Sequence, residues 1–377
     1  MGLEFYSACP FCGKQTIEEQ RMLKPWGFAP INGKFIKEAE AVADFSYAES
    51  PSYSITPKED EMLISSDYIN IRYAKRSDDP LIILNMGPKK KGFMVCQDCG
   101  AAVPGDSEVE FTIQKIGQPY RHPQRPNSMC RHQSAVNTYL GHQFRTDLLV
   151  FEMALDSYKI NTDPSGLWIK QAGQTVAEAM VLAAGRILDI EFNEIKSGYR
   201  IRYDYSNNLV YVDVFLFDSL SSGAGYCSAL SEQTTKLLKE TERILDFCPQ
   251  NCDSACHDCL QHFWNQRVHT QLDRFAGLNL LKWCKDSSMA NSLTYSQQEE
   301  LLKPLKWLSP RYRVVGDGTN HYVEYNGKKT KIYVYPAMWN KRLSCIPQNA
   351  IAISDKQIKY ALPQVDAIIR ETVEKEN

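Results

Sequence analysis

Four cysteines fall within twelve residues in Cys248-Pro-Gln-Asn-Cys252-Asp-Ser-Ala-Cys256-His-Asp-Cys259. The spacings C-x3-C-x3-C-x2-C suit a loop wrapped around a tetrahedral zinc ion, whose thiolate ligands sit at about 2.3 Å. Helical patterning flanks the stretch on both sides, so the cluster is expected where two helices meet. Four thiolates leave no position for water or substrate, which makes such a zinc structural. The other reading is four buried or disulfide-bonded thiols. The start of the chain shows no basic-then-apolar leader, so a reducing, cytoplasmic compartment is expected, where clustered thiols more often hold metal. No apolar run approaches the ~20 residues that span a bilayer, and no membrane association is expected.

Cys9-Pro-Phe-Cys12-Gly13 and Cys96-Gln-Asp-Cys99-Gly100 are two C-x2-C-G knuckles, each with a glycine for the tight turn. Together they predict a second zinc shared by Cys9, Cys12, Cys96 and Cys99 in a ribbon-like site. Strand-like runs at Tyr68–Tyr73 and Leu81–Leu84 lie between them. The alternative is two unconnected knuckles, one without metal. Cys130 and His132 could add ligands, but with four thiolates already present a reactive or buried Cys130 is the expectation.

The formal net charge is −2, so any attraction to nucleic acid must come from a local patch. One stretch qualifies. From Phe111 through Thr146 there is no Asp or Glu, while Lys115, Arg121, Arg125, Arg131 and Arg145 fall inside, interleaved with Tyr120, Tyr139 and Phe144. Fixed cations with aromatic neighbours suit a phosphate backbone and unstacked bases. The same arginines could instead pair with carboxylates elsewhere in the fold.

Leu148–Met153 reads as a buried strand. Thr175-Val-Ala-Glu178 reads as a capping box opening a helix with Val176, Met180, Ala183, Ala184 and Ile187 on one face. Strands Tyr199–Tyr205 and Leu209–Asp218 follow, joined at Ser206-Asn207-Asn208. Ser221-Ser-Gly223-Ala-Gly225 then precedes a helix carrying Leu230, Leu237, Leu238, Ile244 and Leu245. Such a turn can hold an anion on free amides or simply reverse the chain. Leu272, Phe275, Ala276, Leu280 and Trp283 mark another helix. Beyond about residue 291, a capping box at Ser296–Glu299, strands Tyr312–Val315, Tyr322–Tyr325 and Lys331–Tyr335, and a helical tail from Ser354 make a third region.

The absences exclude several classes. There is no phosphate-binding G-x-x-x-x-G-K-[ST] and no H-E-x-x-H. An ATP-driven motor or zinc protease is therefore not expected in this stretch. Asp189, Glu191, Glu194 and Asp213 could assemble a metal nuclease only if the fold converges them, and no enzyme is expected.

The order of these features resembles the zinc-binding domain first associated with MrfA-type DNA-repair helicases, over about residues 140–285. The features that carry the resemblance are an acidic strand around Ile187–Glu194, the hairpin, Asp218 with the glycine turn, and the leucine helix. The cysteine loop with Leu260, Asn265-Gln266 and Leu272-Asp273-Arg274 complete them. The N-terminal knuckle, Arg21…Pro25-Trp-Gly-Phe28-Ala-Pro30 and Gly141…Arg145-Thr146-Asp147 further resemble DrmB-type subunits, which carry this domain beside a helicase in DISARM-type bacterial antiphage systems. Ser222-Gly223 departs from the usual glycine pair, and the C-terminal region has no counterpart.

The resemblance implies zinc on Cys248, Cys252, Cys256 and Cys259. It also implies a superfamily 2 type helicase partner that hydrolyses ATP while this chain helps engage DNA. Two alternatives are a nuclease effector with a carboxylate metal site and a protein-binding adaptor without nucleic-acid contact. The expected fold is α+β. A β-rich zinc-ribbon-like domain (1–110) precedes a basic acid-free connecting segment (111–146). An α/β domain with the four-cysteine site between helices (147–290) and a small α/β C-terminal region (291–377) follow. Two structural Zn2+ ions are expected.

Overall fold

A computed structural model describes residues 21–25, 52–53, 59–105, 121–122, 125–130, 133–204, 209–220, 223–308 and 311–375. The strands are β1 (Met22–Leu23), β2 (Ser52–Tyr53), β3 (Leu63–Ile64), β4 (Ile71–Asn85), β5 (Phe93–Cys96), β6 (Ala102–Pro104), β7 (Arg121–His122), β8 (Arg125–Met129), β9 (Ala135–Asp156), β10 (Ile195–Asp204) and β11 (Leu209–Asp218). In the C-terminal part they are β12 (Arg313–Gly316), β13 (His321–Tyr325), β14 (Lys328–Tyr335) and β15 (Ile351–Ser354). The helices are α1 (Leu167–Leu188), α2 (Tyr226–Ser231), α3 (Thr234–Asp246), α4 (Arg274–Asp286), α5 (Tyr295–Leu308), α6 (Asp355–Tyr360) and α7 (Leu362–Lys375).

Strand β9 is the spine. Its C-terminal half lies between β4 and β11, both antiparallel to it, and its N-terminal half pairs with β5 and β1. Leu149, Phe151, Met153 and Leu155 join the core shared with α1 and α4, while Leu148 and Val150 are buried with Phe215 and Phe217 in a second cluster. Cover on both faces is why Leu148–Met153 reads as a nearly unbroken apolar run.

The two runs expected at Tyr68–Tyr73 and Leu81–Leu84 belong largely to one strand, β4, with a register shift between Arg76 and Asp79. Such a bulge bends a strand without ending it, and Asp78 takes the left-handed conformation there. Because β9 runs unbroken through residue 146 and pairs with β4, residues on both sides of that expected boundary share one sheet.

Helix α1 begins at Leu167, well before the expected capping box. The turn Asp163–Gly166 closes through Gly166 N–H to the Asp163 carbonyl at 2.8 Å, and the apolar residues from Leu167 continue the helical face from there. Thr175 and Glu178 are therefore mid-helix and bond to other elements. The Thr175 hydroxyl oxygen accepts from Asp273 N–H at 2.9 Å. At the other end, Ile187 and Leu188 complete α1 rather than open an acidic strand, and the helix stops at left-handed Asp189. The leucine helix divides into α2 and α3 but buries all five expected residues. Strand β11 has the expected bounds and lies between β10 and β9; the turn at residues 206–208 falls outside the described residues.

In the C-terminal part, β12–β15 form a second sheet packed on α5, α6 and α7 through Leu302, Leu305, Val323, Val334, Val365 and Ile369. Helix α5 is capped by Thr294 with Gln297 rather than by Ser296. The Asn326-Gly327 turn has positive φ at both residues, as a two-residue hairpin requires. Strand β15, parallel to β14, has no counterpart in the sequence reading. Among the described residues, no helix is long and apolar enough to cross a membrane.

Candidate metal centres

The four-cysteine loop connects the end of α3 to the segment leading into α4. Its sulfur atoms all lie within 4.8 Å of one another. Cys248–Cys256 is 3.5 Å, while Cys252–Cys259 and Cys256–Cys259 are each 3.7 Å. A ZnS4 tetrahedron with bonds of about 2.3 Å has edges of about 3.8 Å, whereas a disulfide needs about 2.05 Å. The donor set and its spacing fit zinc and exclude disulfides. Local backbone helps: Asn251 takes a left-handed conformation and bonds back to the Cys248 carbonyl, and Cys256 N–H donates to the Cys259 sulfur at 3.3 Å.

Leu272-Asp273-Arg274 clamps this loop. Arg274 donates from Nε to the Cys252 carbonyl at 3.0 Å and from Nη1 to the Asp246 carbonyl at 3.0 Å. It therefore covers the C-terminal carbonyls of α3 while fixing the metal loop. Asp273 caps α4 by accepting from Ala276 N–H at 3.0 Å. Sequence patterning identifies this triplet only as the start of a helix.

A second cluster joins Cys96, Cys99 and Cys130, whose sulfurs also lie within 4.8 Å of one another, with Cys96–Cys130 at 3.6 Å. The knuckle closes through Gly100 N–H to the Cys96 carbonyl, with Gly100 at positive φ. Burial pushes the Cys99 thiol up to about 12, so a metal would have to displace that proton. Cys130 is thus neither isolated nor merely buried. It follows β8 directly and meets Cys96 at the end of β5, where that strand pairs with the start of β9.

A tetrahedral ion on these three sulfurs has one vertex left, so at most one of Cys9 and Cys12 completes it. Both lie outside the described residues, as does His132. Arg21, Met22 and Leu23 line a cavity beside Cys96 and Gly100. Cys130→Ser is expected to remove one zinc per chain and leave the four-cysteine zinc in place, counted by elemental analysis.

The glycine turn after β11 is filled by the chain's own carboxylate. Asp218 accepts from the N–H groups of Ala224 (2.6 Å), Gly225 (2.7 Å), Tyr226 (3.2 Å) and Cys227 (2.9 Å). The anion position weighed there against a plain chain reversal is taken by the chain itself. Gly223 has φ +77, and a Cβ on it would meet the Asp147 carboxylate at 3.0 Å. Thr146 donates to the Asp218 carbonyl at 2.9 Å, so Thr146 braces this end of β11. Asp218→Ala, which strips an acceptor from four amides, is expected to cost about 3 kcal/mol in urea denaturation.

Asp213 and Glu152 sit side by side on the sheet face away from α1. Arg200 donates to Asp213 at 2.8 Å, Arg72 to Glu152 at 2.8 Å, and Arg202 bridges both carboxylates. Burial, then the neighbouring Asp213, pushes the Glu152 carboxyl above its usual range, while Arg202 and Arg72 oppose this. This row is an ion-pair ladder across four strands. Among the described residues, the groups of three or more ligand-type side chains close enough to hold a metal are the two cysteine clusters.

Of the five expected phosphate-binding cations, Lys115 and Arg131 lie outside the described residues. Arg121 and Arg125 are placed by backbone in β7 and β8, with their side chains outside the description. Arg145 pairs with Asp78 at 2.9 Å, which is the alternative weighed for it.

Residues 176–260, from the middle of α1 through all four cysteines of the loop, match the MZB family, the MrfA Zn-binding domain. The chain is 30% identical over 312 residues to the Druantia protein DruE of Escherichia coli (strain UMEA 4076-1), covering 80% of this chain and 17% of DruE. It therefore spans about a sixth of that relative's length. The crystal structure of the DUF1998 helicase MrfA bound to DNA aligns with 64% of this chain and 26% of its own, at 10% identity and TM-score 0.37. The structure of MrfA bound to DNA and AMPPNP aligns with 52% and 21%, at 10% identity and TM-score 0.25.

Proposed function

We propose that this chain is a zinc-stabilised, non-catalytic module of a helicase-associated bacterial defence system. It helps to engage DNA while a helicase motor of superfamily 2 type hydrolyses ATP. The observation that carries the reading is the match to the MrfA Zn-binding domain, together with the assembly of its four cysteines into one tetrahedral donor set. Homology to DruE, a defence protein, supplies the setting. That identity spreads over most of the chain, whereas the motifs resembling DrmB are short. It favours a Druantia-type over a DISARM-type system. Cys248, Cys252, Cys256 and Cys259 would hold the zinc, which supplies a cross-link between α3 and α4 and no reaction chemistry.

The test is titration of the purified chain with single- and double-stranded DNA at about 50 and 200 mM salt. Binding that weakens steeply with salt supports DNA engagement, and joint replacement of Arg121, Arg125 and Arg131 by alanine should flatten the slope. No binding at either salt would replace this reading with a protein-binding adaptor. DNA cleavage lost on Asp213→Asn with Glu194→Gln would instead establish the nuclease alternative.

A further inference from the structure

Between the segment that follows the zinc loop and the start of β10 lies a cavity of about 260 Å³ with three kinds of wall. Val181, Ile195 and Phe217 make an apolar side. Phe192 and Trp264 add aromatic rings that are 42% and 64% exposed, and the Phe192 ring lies 5.8 Å from that of His262. The polar side is Glu178 and His262. Glu178 is held in place by Gln174 (3.0 Å) and Asn265 (3.1 Å). His262 Nε2 stands 3.9 Å from the Glu178 carboxylate, too far for a hydrogen bond.

Both ring nitrogens of His262 are shielded from solvent and meet no hydrogen-bond partner among the described residues. What His262 offers here is its ring, set against that of Phe192. Lys196 and Arg267, both exposed, also line the cavity, and neither is in an ion pair among the described residues.

We propose that this cavity takes one unstacked base of single-stranded DNA. The Trp264 and Phe192 rings stack on its face, His262 backs the Phe192 ring, and Lys196 and Arg267 take the flanking phosphates. A base on a strand offers the two matching features together, a π-face and adjacent anions. An apolar side chain from a protein partner would use only the rings and leave both exposed cations without an anion in contact. The assignment rests on the DNA-engaging reading above and gives it a location.

The experiment compares the full chain's affinity for a thymidine oligonucleotide with that for an abasic strand of equal length and charge. About tenfold tighter binding of the base-containing strand is expected. Trp264→Ala and His262→Ala should each erase most of that preference with zinc content and salt slope unchanged. Equal affinity of the unaltered chain for the two strands overturns the base pocket and leaves phosphate engagement standing. A preference that survives Trp264→Ala and His262→Ala also overturns it. Binding of neither strand overturns the pocket and the DNA reading together.

Discussion

Cys259→Ser is expected to release the ion of the four-cysteine loop and unfold the helix pair that the loop joins. Residues 249–251, 253, 257 and 258 are exposed, and the loop's own apolar anchoring is confined to Ala255 and Leu260. It has too little buried surface to offset the entropy of ordering its backbone, about 1–2 kcal/mol per residue. Structural zinc supplies about 10–16 kcal/mol of apparent binding free energy in small sites, comparable with the whole stability of a domain, about 5–15 kcal/mol. The loss should also pass through Arg274, which rests on the Cys252 carbonyl and covers the end of α3. Elemental analysis and a thermal melt read the outcome: one zinc fewer and a melting transition lowered by tens of degrees or lost. Because thiolates must be deprotonated to bind, acid and chelators should do the same. A variant that keeps its full zinc and melting temperature would mean the loop is held by packing.

The second large effect is expected far from any metal. Lys356, at the start of α6, forms a buried ion pair with Asp273, their side chains 8% and 3% exposed. Lys356→Met strands a buried carboxylate, and breaking such a pair from one side costs about 3–5 kcal/mol. Asp273 also caps α4, so Asp273→Ala would confound charge with capping. Asn caps as well as Asp. The double variant Lys356→Met with Asp273→Asn should therefore recover much of the loss, because the unpaired charge goes while the cap stays. Equilibrium denaturation measures both variants. If the single variant is as stable as the parent, the pair is not what docks the C-terminal sheet on the α/β core.

The sequence was legible where chemistry and spacing are local. The cysteine loop, β11 and the helix start at Ser354 each occupy a short window, and each stands as expected. It misled where one local pattern had two uses. Thr175 and Glu178 have capping-box spacing, yet they lie mid-helix, and their oxygens serve Asp273 and Asn265. Ser221–Gly225 suits an anion or a plain chain reversal, and the amides of Ala224 and Gly225 are taken by Asp218 from the preceding strand.

Taken alone, the sequence determined one four-thiol donor set and the α+β class, because cysteine spacing and apolar periodicity act over a few residues. Only the tertiary structure decided which distant groups meet. Cys130 reaches Cys96 across 34 residues, Lys356 reaches Asp273 across 83, and Asp213 is brought to Arg200 and Arg202 by strand register. Those meetings depend on how β4, β9 and β11 pair and on how the C-terminal sheet docks. Pairing is set by burial summed over both faces of the sheet, which no single stretch of the chain contains.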